Sequence, residues 1–317
     1  MLLSVATHGE GRDSYEDWYY VAEQIVEHKA ANYENPALNP LMSELQCVLQ
    51  MSREQIAKTA ENLCEAIIEK VDHKLQIHPS RHDPEAAFVG LSDAIEKHPQ
   101  TKFRFFTLNH DMLLEKYLNA KEIDHYRGLK PHPKSLAHSR LDLSERAFAS
   151  ARVSVIKLHG SLDWWRTRPK NFSKQPNPQR GEFIGVGPDQ PNLFTKMDNV
   201  PLLFIGTFNK ILRYSTHSFL PLVAAFQASL HKSRRLTVCG YGFADKGINS
   251  LLIGWMQSIK KTRMIVVDPK PFDPNRCRFA ILDKYEKWEQ ENRLKRISEE
   301  IGEDKMTWTE IVEAANA

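Results

Sequence analysis

The sequence has few cysteines, and their spacing gives them no shared role. Cys47, Cys64, Cys239 and Cys277 are the four cysteines among 317 residues, and no two of them are separated by only two residues. This spacing excludes a cysteine-rich zinc module and offers no disulfide framework. We therefore expect a protein of a reducing cytoplasm.

Long apolar runs and a strong charge imbalance are also missing. No apolar stretch reaches the roughly 18 residues that a membrane-spanning helix needs, and the first residues lack the basic and apolar regions of a signal peptide. The formal net charge is only +3, without a basic block, which argues against direct binding of nucleic acid. The P-loop pattern is absent too. We expect no membrane and no nucleic-acid partner.

The remaining composition is that of an ordinary globular protein, with 41% hydrophobic and 26% charged residues. Apolar residues recur at helical spacing through residues 1–100, which we interpret as a helical segment. Residues 101–285 alternate continuous apolar strands with helices, and residues 286–317 have the spacing of charged helices. Alternating strands and helices predict an α/β fold, a Rossmann-like parallel sheet covered by helices. Residues 121–150 show no clear periodicity, and residues 166–200 are expected to form a long loop or small excursion.

Polar or glycine-bearing turns follow several of the predicted strands. Because the carboxyl ends of parallel strands share one edge of a sheet, such turns together form a crevice, and this crevice is the predicted site. The turns are Asn109-His110-Asp111, His159-Gly160-Ser161, Gly206-Thr207, Gly240-Tyr241-Gly242 and Asp268.

Three of these segments together resemble the sirtuin family. TLNHD at 107–111 resembles its Thr-Gln-Asn-x-Asp segment, with Leu108 in place of glutamine, and KLHGS at 157–161 resembles its His-Gly segment. The run CGYGFADKGIN followed by IVVDP resembles the glycine turn and ribose-binding strand of the sirtuin-like branch in bacterial antiphage defence proteins. The similarity covers roughly 85–285, and the earlier helical segment also looks like that branch.

The resemblance implies that NAD⁺ lies in the crevice. Its catalytic residues would be His159 as general base, Asn109 to position the nicotinamide ribose or the attacking water, and Asp111 to orient the nicotinamide end. An imidazole that titrates near neutrality suits this chemistry. Simpler interpretations remain: a structural histidine, a strand-terminating turn for Asn109 and Asp111, and a helix cap for Asp245. The implied cofactor-binding residues are Thr107, Gly160, Ser161, Thr207, Gly240, Tyr241, Gly242 and Asp268.

Two departures from the family pattern direct the functional prediction. Deacetylating sirtuins carry zinc-binding cysteine pairs after the His-Gly turn, and residues 166–200 contain no cysteine, so we expect no zinc. The missing glutamine also points away from deacylation. We predict an NAD⁺ hydrolase of sirtuin-like type that depletes NAD⁺ in antiviral defence, acting as a homo-oligomer or beside a trigger subunit. The alternatives are a non-catalytic module that binds NAD⁺ or ADP-ribose, and a zinc-free protein deacylase.

The second departure concerns phosphate binding. Family members open with a strand and a Gly-Ala-Gly loop around the pyrophosphate, whereas His8-Gly9-Glu10-Gly11 follows no adequate apolar strand and has no small residue between its glycines. We expect either a start downstream of the true one or a truncated form that lacks the first strand. Affinity for NAD⁺ would then be poor, because phosphate recognition depends on such backbone amides.

Overall fold

The computed structural model describes residues 15–30, 36–77, 83–132, 135–169, 183–186, 194–196, 201–205, 219–270, 277, 281–302 and 304–316. The chain divides into two compact units. One consists of residues 1–77 with 203–209, and the other consists of residues 78–202 with 210–317. Residues 1–14 lie outside the described residues, so the expectation about a missing first strand stays a prediction.

In the first unit, residues 15–30 and 36–77 are mainly helical. Its helices are α1 (Tyr15–Ala30), a 3₁₀ turn (Pro36–Leu38), α2 (Asn39–Leu49) and α3 (Arg53–Ile77). Ala22, Ile25, Met42 and Ile56 share one buried cluster, because apolar residues three or four positions apart fall on one face of a helix. Ser52 caps α3: its hydroxyl accepts from the Gln55 N–H at 3.3 Å, while Gln55 Oε1 accepts from the Ser52 N–H at 2.8 Å.

The second unit contains all the strands among the described residues. Its helices are α4 (Pro84–Ala87), α5 (Leu91–Lys97), α6 (Leu113–Ala120), α7 (Glu145–Ser150), α8 (Leu220–Lys232), α9 (Lys246–Ser258), α10 (Ile281–Gln290) and α11 (Trp308–Asn316). Its strands are β1 (Phe103–Thr107), β2 (Leu129–His132), β3 (Ser135–Leu141), β4 (Val153–Lys157), β5 (Trp164–Pro169), β6 (Phe183–Val186), β7 (Phe194–Lys196), β8 (Arg235–Cys239), β9 (Arg263–Val267) and β10 (Leu294–Ile297).

Parallel pairing confirms the predicted Rossmann-like α/β class. β1 pairs with β4, and β9 lies between β8 and β10, all in parallel. All five residues of β4 are buried, as are four of the five in β9, because both faces of such strands are covered. β1 and β8 are edge strands among the described residues and are only partly buried.

The structure differs from the sequence-based expectation in two places. The stretches 121–150 and 166–200 contribute an antiparallel sheet in the order β2-β3-β6-β5-β7, rather than only loops. In addition, β10 lies within the segment that was predicted to be helical and pairs with β9. Most of these strands are short and mix polar with apolar residues irregularly, so the hydrophobic alternation that identifies a strand is weak in them.

Two further features of the fold concern its helices. Helices α4 and α5 are separated at Gly90, whose φ of 76° lies in the left-handed region that glycine tolerates. No described helix is both long enough and apolar enough to cross a membrane. Gly206 and Thr207, which belong to one predicted turn, lie outside the described residues.

Candidate active site

The turn after β1 carries Asn109 on a backbone fixed by its neighbours. The Thr107 hydroxyl accepts from the Asn109 N–H at 3.0 Å, and Asp111 Oδ1 accepts from the Leu113 N–H at 2.9 Å. Thr107 and Asp111 therefore shape the turn and the start of α6, the structural role left open by the sequence. The Asn109 side chain itself is exposed and so can contact a ligand.

The turn after β4 is buried and joins the first turn. His159 is 4% exposed and Ser161 is fully buried, while Gly160 turns the chain with a φ of 80°. The Leu162 N–H donates to the His110 carbonyl at 3.1 Å, and the rings of His110 and His159 lie 6.2 Å apart. The structure thus brings the two predicted catalytic turns together.

His159 also contacts the loop that follows β8. Its Nε2 lies 3.2 Å from Oδ2 of Asp245, which is 4% exposed. The second carboxylate oxygen of Asp245 accepts from the N–H groups of Gly247 and Ile248 at 2.8 and 3.1 Å. The predicted helix cap is confirmed, and Asp245 contacts the histidine as well. The sequence contains no local signal for that contact, because 86 positions separate the two residues.

The glycine turn after β8 is open to the approach of a ligand. Gly240 has a φ of 60°, and among the described residues no heavy atom outside the adjoining residues lies within 4 Å of the Cβ position at either Gly240 or Gly242. The Tyr241 hydroxyl donates to Asn249 Oδ1 at 2.9 Å, and burial raises the pKa of this phenol well above its usual value. Tyr241 therefore packs onto α9. Because Asp245 already accepts from the Gly247 and Ile248 N–H groups, these donors at the start of α9 are less available to phosphate.

Asp268 lies beside the glycine turn. The Gly240 N–H donates to the Val267 carbonyl at 3.0 Å, so the residue that follows β9 is adjacent to the end of β8. The Asp268 carboxylate accepts from the Lys270 N–H at 2.9 Å through Oδ1. One carboxylate oxygen is thus used locally, and the group stands at the predicted edge of the sheet.

A buried ionic cluster beneath the turns was not predicted. Lys157, 1% exposed, places Nζ 3.5 Å from Glu115 Oε1 and donates to the Asp111 carbonyl. Burial lowers the pKa of Lys157, and the nearby carboxylates of Glu115, Asp111 and Asp163 oppose that shift. The only sequence signal is a lysine at the end of an otherwise apolar strand.

Arg127 and Ser161 extend this cluster to the second turn. Arg127 Nη2 lies 2.8 Å from Asp163 Oδ2, and the Ser161 hydroxyl donates to Asp163 Oδ1 at 2.6 Å. Arg127 Nε is 3.9 Å from Glu115 Oε1. The positive charges of Lys157 and Arg127 therefore lie beside the negative charges of Glu115 and Asp163. The Ser161 hydroxyl has a structural partner in Asp163.

Most of the predicted site residues lie on turns that contact one another. The structure assembles the turns that carry Asn109, Asp111, His159 and Ser161, and it connects them to the glycine turn through Asp245. Asp268 adjoins that glycine turn, and Thr207 lies outside the described residues. Among the described residues, no group of three or more histidine, cysteine or acidic side chains is arranged to hold a metal ion.

One comparison with known proteins finds a family match for the chain. The family model for a SIR2-like domain matches residues 104–294, from β1 to the first residue of β10. This match covers more than half of the 317 residues. No curated protein matches the chain.

Proposed function

Because the chain belongs to the SIR2-like domain family, we propose that it hydrolyses NAD⁺ to nicotinamide and ADP-ribose. The observation that carries the proposal is a buried imidazole, His159, whose turn contacts the turn that carries the exposed Asn109 and whose ring contacts Asp245, in the loop that follows Gly240 and Gly242. A base, a polar group for orientation and room for a pyrophosphate are the elements that this reaction needs.

In the proposed reaction, the oxygen of a water molecule bonds to C1′ of the nicotinamide ribose while the C1′–N bond breaks. The electron pair of that bond leaves with nicotinamide, and His159 accepts the proton of the water. Asn109 orients the ribose or the water. The open space at Gly240 and Gly242 admits phosphate close to the backbone, and Asp268 can bind a ribose hydroxyl.

The test is release of nicotinamide by the purified full-length chain. We expect activity in the wild type and in His231→Ala, a matched change at an exposed histidine on α8. In His159→Ala we expect a loss of about 10²–10⁴-fold, the range for removing a general base. Unchanged release from His159→Ala would exclude His159 as the base. No release from the wild type would contradict the proposal for the chain alone.

A second candidate is a module that binds NAD⁺ or ADP-ribose without turnover. It is favoured by the internal engagement of His159 with Asp245 and of Ser161 with Asp163, which leaves fewer side chains for chemistry. Titration calorimetry with NAD⁺ and ADP-ribose separates the candidates. Binding without nicotinamide release supports the module, and release supports the hydrolase.

We further propose that the activity serves antiviral defence through depletion of NAD⁺, in a homo-oligomer or beside a trigger subunit. This proposal rests on the resemblance to the defence branch. It predicts that cells expressing the wild-type chain lose NAD⁺ on phage infection, whereas cells expressing His159→Ala keep it. Equal NAD⁺ levels in the two infected cultures would contradict the defence role.

A further inference from the structure

We infer that Asp245 is a positioning residue that holds the proton of neutral His159 on Nε2, so that Nδ1 is the atom that accepts a proton. The inference deepens the proposed function and rests on it for its catalytic part. Its structural part, the tautomer of His159, stands on the geometry alone.

The geometry limits what Asp245 can do at each oxygen. Oδ1 accepts from the N–H groups of Gly247 and Ile248, and Oδ2 lies 3.2 Å from His159 Nε2. Two backbone donors and the N-terminus of the 13-residue helix α9 stabilise a negative charge on this carboxylate. An ionised carboxylate only accepts hydrogen bonds, so Nε2 must carry the hydrogen.

A neutral imidazole has one protonated nitrogen and one with a lone pair. With the hydrogen of His159 on Nε2, the lone pair is on Nδ1. His159 and Asp245 are each 4% exposed, so bulk water competes weakly for the hydrogen bond between them. This hydrogen bond therefore strongly favours the tautomer of His159 that carries the hydrogen on Nε2.

The cap on α9 provides a sharp test, Asp245→Asn. Asparagine is as good an N-cap as aspartate, and the N–H groups of Gly247 and Ile248 require the amide oxygen on their side. The amide NH₂ is then directed at His159 Nε2. It donates to that nitrogen, which moves the imidazole proton to Nδ1, so that Nδ1 can no longer accept a proton.

The matched control is Asp245→Ser. Serine also caps helices well, but its shorter side chain cannot reach His159, so neither tautomer is imposed. We expect kcat to fall in the order wild type, Asp245→Ser, Asp245→Asn. The kcat of the asparagine variant should fall by about 10²–10⁴-fold, as expected when a base is held in the wrong tautomer, and KM should change little.

Melting temperatures of the three proteins should stay within a few degrees of one another. If the contact only supports the fold, the near-isosteric asparagine variant should be at least as active as the serine variant, and that order would overturn the catalytic part.

The tautomer itself is measured without turnover. In ¹⁵N-histidine-labelled protein, the ring signals of His159 are identified by their loss in His159→Ala and recorded where the imidazole is neutral. We expect protonated Nε2 in the wild type and protonated Nδ1 in Asp245→Asn. Protonated Nδ1 in the wild type would overturn the inference. Absence of NAD⁺ hydrolysis together with protonated Nε2 would reject the proposed function and leave the tautomer assignment in place.

Discussion

The two turns that meet at the candidate site are held in different ways. The turn with His159 and Ser161 is buried, and both of these side chains have internal partners. The turn with Asn109 has an exposed side chain on a backbone anchored from below by Lys157. The difference separates two requirements of a site: a base needs a fixed orientation, whereas a group that meets a ligand needs access.

The largest expected effect is on the anchor of the exposed turn. Among the described residues, Lys157→Met leaves Arg127, with Nε 3.9 Å from Glu115 Oε1, as the remaining cation beside that buried carboxylate. Breaking one side of a buried pair typically costs about 3–5 kcal/mol. Urea unfolding measures this loss. The double variant Lys157→Met/Glu115→Leu removes both charges and should recover much of the stability. Equal losses in the single and double variants would contradict the role of the pair.

The same lysine makes stability depend on pH at the alkaline end. Burial lowers the pKa of Lys157 below 10.5, so between the folded pKa and that value the unfolded chain binds more protons than the folded one. This group therefore adds stability as pH rises through the window. Lys157→Met should flatten that rise in urea unfolding. An unchanged slope would assign the pH dependence to other groups.

The next prediction concerns Asn109, the exposed side chain of the turn after β1. Asn109→Ala should lower nicotinamide release by about 10²-fold, because the reacting groups lose their orientation. Its stability should change by no more than about 0.5 kcal/mol, as for other surface substitutions. Asn119→Ala on α6, also exposed, is the control and should keep full activity. A large loss of stability in Asn109→Ala would show that the side chain belongs to the fold.

Substitutions in the glycine turn after β8 should have smaller effects on stability. Gly240→Ala places a side chain at a φ of 60°, which should cost about 1 kcal/mol, although its Cβ meets no atom within 4 Å in the described part of the chain beyond the adjoining residues. Gly242→Ala has the same open surroundings without a positive φ and should leave stability nearly unchanged. Both should weaken NAD⁺ binding in calorimetry, since each Cβ occupies ligand space. Unchanged binding in both variants would remove this turn from the ligand site.

The smallest effect concerns the end of β8. Burial raises the pKa of the Cys239 thiol to about 12, so little thiolate forms at pH 8, and the thiolate is the reactive form. Exposed Cys47 should be alkylated much faster by iodoacetamide in the native protein, as followed by mass spectrometry. Similar rates would show that the end of β8 is open to solvent.

Much of the fold could be predicted from local pattern. The Val153–Lys157 run and the Arg263–Val267 run were recognisable because strands covered on both faces contain nearly continuous apolar residues. The antiparallel sheet was not predicted, because most of its strands are short and mix polar with apolar residues, and because β3 pairs with β6, which lies far from it in the chain. For the site, the motif resemblance selected the turns at Asn109 and His159. The contact between His159 and Asp245 left no local signal.

By itself, the sequence determined the α/β class, the helical first unit and the strand-end turns. These features depend on periodicity, apolar runs and turn residues that act over a few positions. Only the tertiary structure decided that Lys157 anchors the Asn109 turn and that Asp245 both caps α9 and contacts His159. Such pairings form when folding excludes water from polar groups that are distant in the chain, because each buried polar group then needs a partner.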